Sequence, residues 1–141
     1  MSNLLVRDTD FLVPVSIGEV VDKITILRIK SGEIKDPTKL ENVRNELAAL
    51  EKAYLDYVGE IPDQVADLTA ELQKINKQLW IIEDDIRDCE RDRKFESEFI
   101  RLARAVYVTN DERARLKKEI NIALGSTFVE EKSYKDYSAE S

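Results

Sequence analysis

The chain has no histidine and a single cysteine, Cys89, among its 141 residues. The first absence removes Ser-His-Asp and Cys-His triads, the commonest zinc sites and the usual general base near neutral pH. The second excludes an intrachain disulfide. Together they leave no ligand set for zinc, haem or an iron–sulfur cluster. Glycine and proline are scarce, at four and three residues. Tight turns are therefore few, which argues against a sandwich or barrel. No run of about 20 apolar residues occurs, so no membrane insertion is expected. The start of the chain has no basic stretch followed by an apolar one, and the protein is read as soluble and cytoplasmic. Cations are outnumbered, 22 Lys and Arg against 29 Asp and Glu, for a net charge of −7. That balance repels phosphate backbones and anionic lipid, so no nucleic-acid partner is expected.

Helical periodicity is what the chain does have. From Pro62 to about Arg93, Val65, Leu68, Leu72, Ile75, Leu79, Ile82, Ile86 and Cys89 alternate three and four apart. This is a heptad seam sustained for more than three heptads, and it predicts a long amphipathic helix. Cys89 lies on the seam, where a buried structural thiol is the ordinary role. A second seam runs Leu40, Val43, Leu47, Leu50, Tyr54 and Tyr57, between Asp36-Pro37 as N-cap and N1 and Gly59 as the stop. The link from Gly59 to Pro62 is short. The two seams are therefore expected to fold back on each other as an antiparallel coiled-coil hairpin.

Ahead of them, Ser16-Ile17-Gly18-Glu19 has the form of a capping box, with Val15 and Val20 as a hydrophobic staple. A first helix is expected from there to about Ser31, with Glu19 and Lys23 as an i,i+4 pair. Residues 1–15 carry Leu4-Leu5-Val6 and Phe11 to Val15 and are read as an extended arm lying over the helices. After the charge run Glu90 to Lys94, a further apolar helix starts near Glu96. Thr109-Asn110-Asp111-Glu112 either caps a fifth helix or runs through one unbroken helix with polar residues turned inward. Helix ends at Gly125. Residues 126–141 are read as a docked segment followed by a loose tail. All of 1–141 is taken as one helical domain.

Two polar constellations stand out. Glu83, Asp84, Asp85, Arg87 and Asp88 cluster beside Trp80. Four carboxylates in six residues suit Mg²⁺ only if two share a face, so Glu83, Asp84 and Asp88 are the set if Mg²⁺ is bound; otherwise no metal and no cofactor are expected. All-α nucleotide pyrophosphohydrolases use helical carboxylates in this way, but with paired Glu on the preceding helix, where this chain has only isolated Glu41, Glu46 and Glu51. The second constellation is Arg104, Tyr107, Asn110, Asp111, Arg113 and Lys117, with Lys23 beside Asp22 on the first helix as a partner. Its spacing can bind a phosphate or carboxylate, or can stitch helices together with buried ion pairs. On the stitching reading, Arg104→Ala and Asp111→Ala each lower the melting temperature.

The polar and apolar residues together resemble a known family. The resemblance is carried by Val13-Pro14-Val15-Ser16-Ile17-Gly18-Glu19, Asp22-Lys23-Ile24-Thr25-Ile26-Leu27, Leu79-Trp80 with Ile82-Glu83-Asp84, Ala103-Arg104 with Val106-Tyr107, Asn110-Asp111 with Arg113-Ala114, and Glu131-Lys132-Ser133-Tyr134. It is to the domain-of-unknown-function family 6165 of bacteria and bacteriophages, over nearly all of Leu12 to Tyr134. The resemblance implies no activity. It implies a shared polar site and a thin connection with surface-glycan genes.

The expected fold is all-α: an elongated bundle on an antiparallel hairpin, with more than about 60% helix against a soluble average of roughly a third. The expected role is a non-enzymatic interaction or assembly protein, a homo-oligomer or the partner of another helical protein. The alternative is a small enzyme or binder of an anionic metabolite that uses Lys23, Glu83, Asp84, Arg87, Arg104, Tyr107, Asn110, Asp111 and Arg113.

Overall fold

A computed structural model describes residues 7–137. They form four helices, α1 (Ile17–Glu33), α2 (Pro37–Val58), α3 (Asp63–Arg91) and α4 (Ser97–Leu124), with no strand among the described residues. The fold is all-α, and helix takes 73% of the described residues.

The caps explain the boundaries. Ser16 accepts a hydrogen bond from the Glu19 amide at 3.2 Å, one arm of the expected capping box. The other arm is missing, because the Glu19 carboxylate turns to Lys117. Lys23 likewise leaves Glu19 and pairs with Glu46 on α2 at 2.8 Å. Asp36 caps α2 by accepting from the Lys39 amide, with Pro37 in the first turn. Gly59 and Gly125 end α2 and α4 at φ values of 78° and 64°, a region glycine enters without strain. Of the two readings for the C-terminal half, the unbroken one is observed. Thr109 to Glu112 pass through the middle of α4, and Asn110 and Arg113 are drawn inward.

The helix pairing differs from the expected hairpin. The seam of α3 packs most extensively on α4, whereas α2 packs on α1. Asp85 lies near Arg101 and Glu71 near Arg115, so α3 and α4 run in opposite directions. The reason lies in α1, which buries Ile17, Val21, Ile24, Leu27 and Ile29. An apolar arc that wide needs cover on more than one side. α1 accordingly contacts α2, α3 and α4 and takes the position that α2 would have held against α3. α2 buries only Val43 fully. The core joins Ile17 and Val21 of α1, Val65, Leu68 and Leu72 of α3, and Leu116 and Ile120 of α4. Each such side chain contributes about 1.5–3 kcal/mol by leaving water.

Beyond Leu72 the buried stripe of α3 passes through Asn76 rather than Ile75 and on to Leu79. Over its described residues, 7–15, the N-terminal arm does not cover the helices as expected. Phe11 and Leu12 are 90% and 71% exposed, and only Pro14 and Val15 reach a hollow beside Tyr54, Tyr57 and Phe128. An isolated extended segment with no strand to pair with has little to hold it down. Leu4, Leu5 and Val6, and the tail past residue 137, lie outside the described residues. Residues 126–137 have no regular structure and turn back along α4. Glu131 meets Lys118, Lys132 meets Asp111, and the Tyr137 ring meets that of Tyr107 at 5.1 Å.

Candidate functional site

Asp22 is the centre of a buried ionic network. It sits on α1 one turn after Gly18, among the apolar residues of the central helix, and is 1% exposed. Arg113 of α4 grips it side-on with one edge of the guanidinium, Nε to Oδ1 at 2.9 Å and Nη2 to Oδ2 at 2.5 Å. The Asn76 side-chain amide of α3 donates to Asp22 Oδ1 at 2.9 Å and to Thr25 Oγ1 at 2.8 Å. Thr25 donates in turn to the Asp22 backbone carbonyl. Lys117, one turn after Arg113, brings Nζ to 4.0 Å from Asp22. It also lies 2.8 Å from Glu19 and 2.8 Å from Glu130 of the returning segment. The network thus joins three helices and the C-terminal segment.

The charges respond to this setting. The hydrogen bond with Asp22 raises the Arg113 pKa above its ordinary value, against the opposing effect of burial. For Lys117, burial pushes the pKa down, but the carboxylates of Glu130 and Glu19 outweigh it and the net shift is upward. A cation whose folded pKa is raised stabilises the fold fully below its unfolded value, ~10.4. That contribution is lost as pH climbs through the folded value. Unfolding stability is therefore expected to be flat up to about pH 10 on account of Lys117 and to fall above it. The Lys117→Met variant should show a shallower alkaline fall in urea melts between about pH 9 and 11.5. An unchanged slope would show that Lys117 is not the group responsible.

The network backs onto an open cleft of about 490 Å³, within the usual range for small-molecule sites. α1 contributes Ile26, Ile29 and Lys30, and α4 contributes Asn110 and Arg113. α3 contributes Asn76, Leu79, Trp80, Glu83, Asp84 and Arg87, whose three- and four-residue spacing is a single helix face. Arg113 belongs to both structures: two donors are fixed by Asp22, while its side chain remains 29% exposed. One further N–H reaches Asn110 at 3.4 Å. A guanidinium carries five N–H donors, so an edge remains for a ligand.

A family model matches residues 11–140. The chain belongs to that family, described as Family of unknown function (DUF6165). No curated protein and no solved structure matches the chain.

In this DUF6165 chain, five of the nine residues singled out for a ligand come together. Glu83, Asp84, Arg87, Asn110 and Arg113 share the cleft. Lys23 does not, because it faces α2. Arg104 is exposed and pairs with no carboxylate among the described residues. Tyr107 and Asp111 are also exposed and serve to hold the C-terminal segment. Hydrogen bonding to Asp111 raises the Tyr137 pKa. Arg104 and Asp111 therefore do not form the buried stitch expected of them, and Arg104→Ala should change stability by no more than about 0.5 kcal/mol in denaturant melts. In the carboxylate cluster, Glu83 is paired with Arg87 and Asp88 with Arg91. No group of three Cys, Asp or Glu side chains converges among the described residues.

The residues that sequence reasoning passed over are Asn76 and Thr25; Lys117 and Asp22 were in view, but not Asp22 as the hub of the network. One signal was present. Asn76 lies within the seam of α3, four after Leu72 and three before Leu79. A polar residue on a buried stripe needs a partner across the interface.

Proposed function

We propose that the protein binds a small metabolite carrying a carboxylate or phosphate in the cleft between α1, α3 and α4. The observation that supports this reading is Arg113. Its guanidinium is held in place by a fully buried carboxylate, and its remaining edge lies in a cleft of ligand size beside Lys30, Arg87 and Trp80. Fixing an arginine in this way removes most of its side-chain freedom before any ligand arrives, which is how preorganised sites gain affinity. The buried pair is an expensive way merely to join helices, since apolar residues of similar volume often do so as well or better. A ligand that binds only the folded chain raises the melting temperature by mass action. Thermal shift with carboxylates and phosphate monoesters is therefore expected to give a dose-dependent rise for some members of the set. That rise should disappear in Trp80→Ala. Flat responses across both classes at millimolar concentration would reject the reading.

Assembly is the second reading, favoured by a separate observation. Near the turn joining α3 to α4, Phe95 and Ile100 remain 45% and 54% exposed. Two copies could bury these residues against each other. On that reading light scattering gives twice the 16.3 kDa monomer mass at micromolar concentration. A monomer mass there sinks it.

A further inference from the structure

We infer that the ligand of the cleft is an amino carboxylate, with one carboxylate and one ammonium group, rather than a phosphate or a simple acid. The inference rests on the binding reading above and narrows its ligand class. It follows from which charges in the cleft are already matched. Arg113 is neutralised by Asp22 through two hydrogen bonds, and Arg87 is neutralised by Glu83 one turn earlier on α3. Two charged groups remain. Lys30 on α1 and Asp84 on α3 both line the cleft, and neither forms an ion pair among the described residues. The unmatched charge is therefore one cation and one anion, contributed by different helices.

A dianionic phosphate suits this arrangement poorly. It would gain one free ammonium and face one free carboxylate, with two guanidinium groups that are already paired. A molecule with charges of both signs leaves neither Lys30 nor Asp84 unmatched. Its carboxylate can take Lys30 together with the spare N–H groups of Arg113. Its ammonium can take Asp84 and the Asn76 side-chain oxygen, which accepts no hydrogen bond from the described residues. Trp80 provides an aromatic surface, which also favours a cation. The apolar part of the wall, Ile26, Ile29 and Leu79, suits a short hydrocarbon spacer or side chain.

Isothermal titration calorimetry on the full chain at neutral pH tests this. The probes are the common α-amino acids and the ω-amino carboxylates from glycine to 6-aminohexanoate. Each is compared with its counterpart lacking the amine, and with inorganic phosphate. At least one amino carboxylate is expected to bind, with its amine-free counterpart weaker by about tenfold or more. Asp84→Asn should bring the first down to the level of the second and leave the second unchanged, whereas Lys30→Gln should weaken both. Neither side chain has a partner to lose, so circular dichroism of both variants should match the parent. Equal binding of the amine-free acids, tighter binding of phosphate, or indifference to Asp84→Asn overturns the ligand class and leaves the cleft as a binding site. Binding in no arm overturns both.

Discussion

Asp22→Ala is expected to destabilise the fold by about 3–5 kcal/mol, the cost typical of removing one partner from a buried ion pair. Most of that cost comes from what is left behind. The substitution removes a short side chain, but it strands the Arg113 guanidinium and deprives Asn76 of an acceptor in a largely buried setting. Lys117 keeps Glu19 and Glu130 and is less affected. Arg113 is 29% exposed, so solvent recovers part of the loss and the lower end of the range applies. The Asp22→Ala/Arg113→Met double variant should be more stable than Asp22→Ala alone, because the uncompensated charge goes with its partner. Urea melts of the two singles and the double measure the coupling. Strict additivity would show that the bidentate contact contributes nothing to stability. The exposed ladder on α4, where Arg115 meets Glu112 and Glu119, makes a useful contrast. It is similarly rich in hydrogen bonds, but pairs of this kind in water are worth about 1 kcal/mol at most. Burial decides which of the two arginines the fold depends on.

The sequence made the helices and their ends readable, because periodicity and caps are local. Ser16, Asp36 with Pro37, Gly59 and Gly125 act within a turn of where they stand. Pairing is not local. Two matched seams on neighbouring helices, those of α2 and α3, suggested a hairpin that the molecule replaces with α3 on α4. The deciding factor was the breadth of the apolar arc on α1, a property of a third element. Site residues divide along the same line. Glu83, Asp84 and Arg87 were found together because they are neighbours on one face of α3, and Asn110 and Arg113 because they are neighbours on α4. That these two sets share a cleft depends on the α3–α4 register. Arg104 and Tyr107 fit the α4 spacing equally well yet lie on another side. Spacing alone could not separate them from Arg113, since the difference is the presence of Asp22 on a helix 91 residues away.

Gly18→Ala is expected to be strongly destabilising, although the same change elsewhere in a helix helps. Alanine is favoured over glycine in a helix interior by about 1 kcal/mol, because glycine gives up more backbone freedom on folding. At position 18 packing opposes that gain. A Cβ there would stand 2.5 Å from the backbone carbonyl oxygen of Lys117 and 2.9 Å from Asn121 Oδ1. A flexible side-chain end can move aside, but the carbonyl belongs to the α4 backbone, so the helices must separate. Overpacking of this kind costs about 1–3 kcal/mol in a close-packed interior. Separation also strains the bonds that depend on the close approach. The Gly18 amide donates to Asn121 Oδ1 at 2.6 Å, Glu19 meets Lys117, and Asp22 meets Arg113 along the same interface. Clash and lost bonds together outweigh the propensity gain, and the net change is about 2 kcal/mol or more against folding. Gly32 is the control. It lies in the last turn of the same helix with nothing within 4 Å of its added Cβ, so Gly32→Ala should be neutral or stabilising by up to about 1 kcal/mol. Urea melts of the two variants should therefore move in opposite directions. A Gly18→Ala midpoint at or above that of the parent would show that α1 and α4 do not approach this closely in solution. The buried position of Asp22, which depends on that approach, would then be in doubt as well.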